Sequence, residues 1–276
     1  MAKVESLFNL NGKLGNHIFS TVKGKKVVRS VSSRPHVQPE ASRKSGKDFG
    51  AASSAAALIR QGFKPLTQVY ADNEYDDRLK RLANQVVLSG PERLKGARQF
   101  TDGNMALLKG LELNKHTAVS KLLPAAPVVT TVAGNSITIA LPKLYTEKMF
   151  FGPEKAAAAV IQFRCCLLYF TEKRGLYVTA EDLIISLAKE TFPGGSFSLP
   201  LEGADNCVIL LAWGIHFTAK NDQRMINNRK YYAANLLEVV HLENGAIKVF
   251  EPEVSATTAV AAVNTVPQVQ WTLDEE

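Results

Sequence analysis

From Pro127 onward the chain breaks into short β-rich runs set apart by turn residues, and this alternation constrains the fold more than any other feature. The runs are Val128–Val132, Ser136–Leu141, Ala157–Phe163, Cys165–Phe170, Leu183–Ala188, Ser196–Leu201, Val208–Phe217 and Leu236–Leu242. Between them stand Ala133-Gly134-Asn135, Gly152-Pro153, Lys173-Arg174-Gly175, Pro193-Gly194-Gly195, Glu202-Gly203 and Asn227-Asn228. Short strands at near-regular spacing predict an antiparallel, immunoglobulin-like β-sandwich, in which each sheet buries one face against the other. Trp213, in the middle of a run, is assigned to its core together with Phe163, Leu168 and Ile185.

The preceding stretch has a helical period instead. Phe49, Ala52, Ala56, Ile59 and Phe63 recur at spacings of three and four. Five alanines between Ala51 and Ala57 allow close approach of a neighbour, and Pro65 is expected to end the helix. Tyr75, Leu79, Leu82 and Val86 form the stripe of a second helix, over Asp72–Leu88. Asp72, Glu74, Asp76 and Asp77 crowd its start, which suits an Asx cap and the positive end of the helix dipole. Residues 92–127 are mixed, with a short helical or turn segment around Asn104–Leu108.

At the N-terminus, His17–Val22 and Lys26–Val31 flank Lys23-Gly24-Lys25 and read as a hairpin. A lone hairpin is barely stable in water, so it needs something to cover it. The expected class is therefore α+β: a basic arm and hairpin (1–34), a mainly helical region (35–126), the β-sandwich (127–250) and an extended acidic tail (251–276). The β-branched residues of the tail suit a strand added to another sheet edge, and simple disorder is the alternative.

Charge is distributed unevenly. Residues 1–50 hold 10 Lys and Arg against 3 Asp and Glu, residues 51–122 hold 11 against 7, and residues 123–276 hold 12 against 16. The first fifth of the chain thus carries the equivalent of the whole net charge of +7. The expected interaction arm comprises Lys13, Lys23, Lys25, Lys26, Arg29, Arg34, Arg43, Lys44 and Lys47.

Catalytic and metal motifs are missing. The 5 histidines are scattered without a cysteine or acid at ligand spacing, and no H-E-x-x-H, C-x-x-C or G-x-S-x-G occurs. Gly12-x-x-Gly15 and Lys23-Gly24-Lys25 lack the spacing of a phosphate loop. The expectation is a protein without catalytic residues, cofactor or metal. Cys165, Cys166 and Cys207, an odd number with an adjacent pair, make a poor disulfide framework. In a strand, Cys165 and Cys166 point to opposite faces, so at most one is expected in the core. No classical signal peptide is recognisable, and no run approaches the ~18 apolar residues of a membrane-spanning helix. A cytoplasmic location is the default, with non-classical export left open.

Gly12-Lys13-Leu14-Gly15-Asn16 and Val22-Lys23-Gly24-Lys25-Lys26-Val27-Val28-Arg29-Ser30 resemble the opening G-K-x-G-N…K-G-x-x-x-x-R of an uncharacterised protein family from Bacteroidota. The similarity runs over roughly residues 10–70, through a proline-containing linker into the alanine-rich helix. Many members carry a Pro-Arg-Thr-like segment where this chain has Pro35-His36-Val37-Gln38-Pro39. The resemblance implies a β-rich C-terminal half and no particular activity.

Three functions follow as expectations. The first is a structural protein whose basic arm engages the acidic β-domain of another copy, head to tail, closing into a ring or running on as a filament. The second is nucleic-acid binding by the first 50 residues, poor in aromatic groups for stacking, with only Phe8, Phe19 and Phe49. The third is a ligand- or glycan-binding sandwich using Tyr169, Tyr177, Tyr231, Tyr232 or Trp271 as a platform.

Overall fold

The structure, a computed structural model, describes residues 2–3, 11–22, 24–31, 37–70, 72–133, 136–219 and 224–253. The class is α+β with antiparallel sheets, and the chain divides into two compact units, Met1–Arg43 and Lys44–Glu276. The first contains β1 (Ala2–Lys3), β2 (Gly12–Leu14), β3 (His17–Val22) and β4 (Lys25–Ser30), in the sheet order β1-β4-β3-β2. Helix α1 (Glu40–Gly62) begins at its end.

In the second unit α1 continues and is followed by α2 (Lys64–Thr67), α3 (Tyr75–Ser89) and α4 (Val119–Leu122). The chain then turns to strands: β5 (Val128–Ala133), β6 (Ser136–Leu141) and β7 (Leu144–Tyr145), with the short α5 (Thr146–Met149) after them. Next come β8 (Ala156–Tyr169), β9 (Arg174–Thr179), β10 (Leu183–Ser186), β11 (Thr191–Phe192) and β12 (Gly195–Pro200). The last are β13 (Val208–Ala219), β14 (Ala233–Glu243) and β15 (Ala246–Ile247).

The large sheet is built on two long strands. β8 pairs along one edge with β13, and along the other with β9 and β10 in succession. β14 and β15 complete the order β10-β8-β13-β14-β15. Odd-numbered residues of β8 and β13, among them Phe163, Ile161, Trp213 and Ile215, share one core with Ile137, Ile139 and Leu199 of the small β12-β6-β5 sheet. Even-numbered ones, among them Cys166, Leu168, Leu210 and Ala212, share a second core with Ala52, Ile59, Phe63, Leu79 and Val86 of the helices. No sheet closes on itself among the described residues.

Cover on both faces accounts for several departures from the sequence reading. The runs Ala157–Phe163 and Cys165–Phe170 are one strand of 14 residues, because Arg164 between them continues the ladder with Ala212 and Thr179. Both adjacent cysteines are buried, Cys165 in the first core and Cys166 in the second, whereas one-sided burial was expected to spare one. Arg174 and Gly175, expected in a turn, open β9.

The helices also deviate in detail. Phe49 is 54% exposed, and Asp48 takes the inward position instead. α1 stops at Gly62, where a Cβ would stand 2.7 Å from Cys166 Sγ and 2.9 Å from the Tyr177 ring. Pro65 does not end it but sits in the first turn of α2, where a missing N–H costs nothing. The Tyr232 hydroxyl donates to Leu66 O at 2.6 Å and ties α2 to the large sheet. Of the C-terminal segment, 254–276 lie outside the described residues. Among the described residues no helix is long and apolar enough to cross a membrane.

Candidate interaction surfaces

The N-terminal sheet is built from strands too short and too polar to bury a face. Its turns need positive φ, supplied by Gly15 (φ 57) and Gly24 (φ 76), positions that L side chains rarely adopt. The register places Lys13 opposite Ile18 and Ile18 opposite Arg29. Val22 stands opposite Lys25, and Thr21 opposite Lys26. Directly paired residues share a face, and alternate residues of a strand do too. Lys13, Lys25 and Arg29 therefore lie on one face with Ile18 and Val22, and Lys26 on the other.

Residues 11–31 contain no Asp or Glu. Lys13, Lys25 and Arg29 form no ion pair with described residues. Leu14 is 65% exposed, Val22 42% and Ile18 39%. The outer edge of β2 has no strand beside it among the described residues.

The other expected arm residues lie elsewhere. Arg43, Lys44 and Lys47 are on α1, while Lys23 and Arg34 lie outside the described residues. Lys44 lies against Gly96, whose φ of 89 and whose proximity to Lys44 Cγ, 2.6 Å from a built Cβ, exclude a side chain there. One turn on, Asp48 accepts from Gly96 N–H at 2.9 Å and faces Arg98 at 3.5 Å. This ties the 91–98 loop to α1.

A second surface is a groove of about 610 Å³ beside β14. Its walls include Leu94, Met105 and Phe250, and Asp102, Glu238 and Glu251 bring carboxylates to it. Arg93, His241 and Lys248 also line it. Arg93 lies 3.6 Å from Glu253, and Lys248 bonds Glu243 at 3.0 Å. Burial, then Lys248, holds the His241 imidazole below its ordinary pKa. Sequence patterning gave no sign of this groove, because it is bounded by segments more than a hundred residues apart.

The Asp72 side chain organises the start of α3. It accepts from Glu74 N–H (2.9 Å), Lys115 N–H (3.1 Å) and Arg78 Nη2 (2.8 Å). Burial raises its pKa, but these hydrogen bonds outweigh burial and the carboxyl stays below its ordinary value.

The residues assigned to the sandwich core, Trp213, Phe163, Leu168 and Ile185, are all at most 3% exposed. Leu168 faces the helices, and the other three face the small sheet. Of the aromatic platform, Tyr232 is buried and Tyr169 is 8% exposed with Arg174 stacked 4.0 Å from its ring centroid. Tyr177 is 45% exposed, Tyr231 packs against Phe217, and Trp271 lies outside the described residues. No group of three or more potential metal ligands occurs among the described residues. No family model, curated protein or solved structure matches the chain.

Proposed function

We propose that the chain is a non-enzymatic structural protein that associates head to tail with copies of itself, through its basic N-terminal unit and its β-rich domain. The observation that carries this is the acid-free sheet of residues 11–31, solvent-exposed along β2, with apolar and basic groups interleaved on one face. So small a sheet is weakly stable alone and gains most from a protein surface that answers both kinds of group. The excess of acids in residues 123–276 makes a second copy a fitting partner. Repeating one heterologous contact generates a ring or a filament. We further read the small sheet opposite the odd-numbered face of β8 and β13 as the second layer of an immunoglobulin-like sandwich.

A second reading, nucleic-acid binding, is favoured by one observation: Lys13, Lys25 and Arg29 share a face. The exposed Ile18 and Val22 between them suit a protein partner better than a phosphate backbone.

Size-exclusion chromatography with light scattering at low and high salt tests the proposal. Salt-weakened oligomers that vanish when residues 1–31 are deleted support it. A monomer at every concentration overturns it, and co-purifying absorbance at 260 nm with a steep salt dependence favours the second reading.

A further inference from the structure

We infer that β2 of one copy adds as a strand to the open edge of β14 in the next copy, inside the groove described above. This rests on the self-association reading and names its docking place.

The edge of β14 is covered at two points. Gly110 N–H donates to Leu236 O at 2.8 Å, Leu236 N–H to Leu111 O at 3.0 Å, and Leu113 N–H to Ala234 O at 2.7 Å. Farther along, β15 pairs with Leu242 and Glu243, and Lys248 N–H donates to His241 O at 2.8 Å. Between these points Val239 N–H is closed by the neighbouring Glu238 carboxylate, Oε1 at 3.2 Å. A side chain there stands in for a strand, and an edge amide is a template for another chain.

β2 fits this gap in length and chemistry. The gap spans the few residues between Leu236 and His241, and a three-residue strand covers about 10 Å. Leu14, largely exposed, supplies an apolar group to Leu94, Met105 and Phe250. Lys13 points to the opposite face of β2 from Leu14, and its long side chain reaches back past the strand edge to Glu251, which has no cationic partner among the described residues. In the docked state a β2 carbonyl accepts from Val239 N–H in place of Glu238. The contact joins different surfaces of two copies, so it propagates.

Amide exchange of the full chain, below and above its association concentration, reads the contact without any variant. Exchange at Val239 is expected to slow about tenfold on association. Leu14→Asp and Glu251→Lys, both at exposed positions, are each expected to raise the association concentration, Leu14→Asp by about tenfold. Oligomers that form with Val239 exchange unchanged, and that tolerate Glu251→Lys, overturn the docking place while leaving self-association standing. A wild-type chain that stays monomeric overturns both.

Discussion

Asp48 and Arg98 form an ion pair across 3.5 Å with side chains only 2% and 3% exposed. Each has further partners: Gly96 N–H for the carboxylate, and Pro91 O and the exposed Glu92 for the guanidinium. Burial of both charges is costly, and their stabilising worth depends on every hydrogen bond being made. The pair's clear role is to seat the 91–98 loop on α1.

Removing one partner is therefore expected to cost more than the pair contributes. Asp48→Ala leaves the buried guanidinium with only the exposed Glu92 as anion and takes the acceptor from Gly96 N–H, and should destabilise by about 3 kcal/mol. Urea unfolding of the full chain measures this. A loss under about 0.5 kcal/mol would place the pair among ordinary surface contacts.

Two histidines tie stability to pH. Burial depresses the pKa of His216, partly opposed by Asp182, and its Nδ1 has no hydrogen-bond partner among the described residues. His241 is depressed by burial and Lys248. Both favour the neutral form when folded, whereas the unfolded chain takes up protons near pH 6.5. Their stabilisation is full above about pH 6.5 and falls as pH drops from there through the folded values. The urea midpoint should decline between pH 7.5 and 5.5, and His216→Gln with His241→Gln should flatten that decline. An unchanged slope in the double variant would show that these groups are not its source.

The three thiols should be silent in the folded protein. Burial pushes Cys165 up to about 12 and Cys207 up to about 11, and raises Cys166 as well. The thiolate is the reactive form, and both access and ionisation are withheld. A thiol reagent at pH 8 should modify none of the three before denaturation and all of them after it. Rapid labelling of Cys165 or Cys166 in the native chain would show that one face of β8 opens.

The sequence was legible where one period ruled a segment. The stripes Ala52, Ala56, Ile59, Phe63 and Tyr75, Leu79, Val86 mark buried helix faces, and β6 alternates along its whole length. The reading of strand boundaries weakened in β8, since a strand covered on both faces is apolar throughout and has no alternation to reveal it. Residues 110–113 and the Val239 edge were invisible because their partners are distant in the chain. On the basic arm, sequence gave the charge excess, and only the register showed which of its residues share a face.

The large sheet is a wall common to both cores, and that fixes the order in which the chain can fold. The apolar stripes of α1 to α3 rest on strands made much later: the Tyr232–Leu66 hydrogen bond spans 166 residues, and the Asn114–Tyr232 bond spans 118. During synthesis, then, the helical part leaves the ribosome well before its floor exists. Such high contact order slows folding, since loop closure precedes its reward. Until β13 and β14 emerge, the alanine-rich helix has to wait with its apolar face uncovered, a natural client for a chaperone.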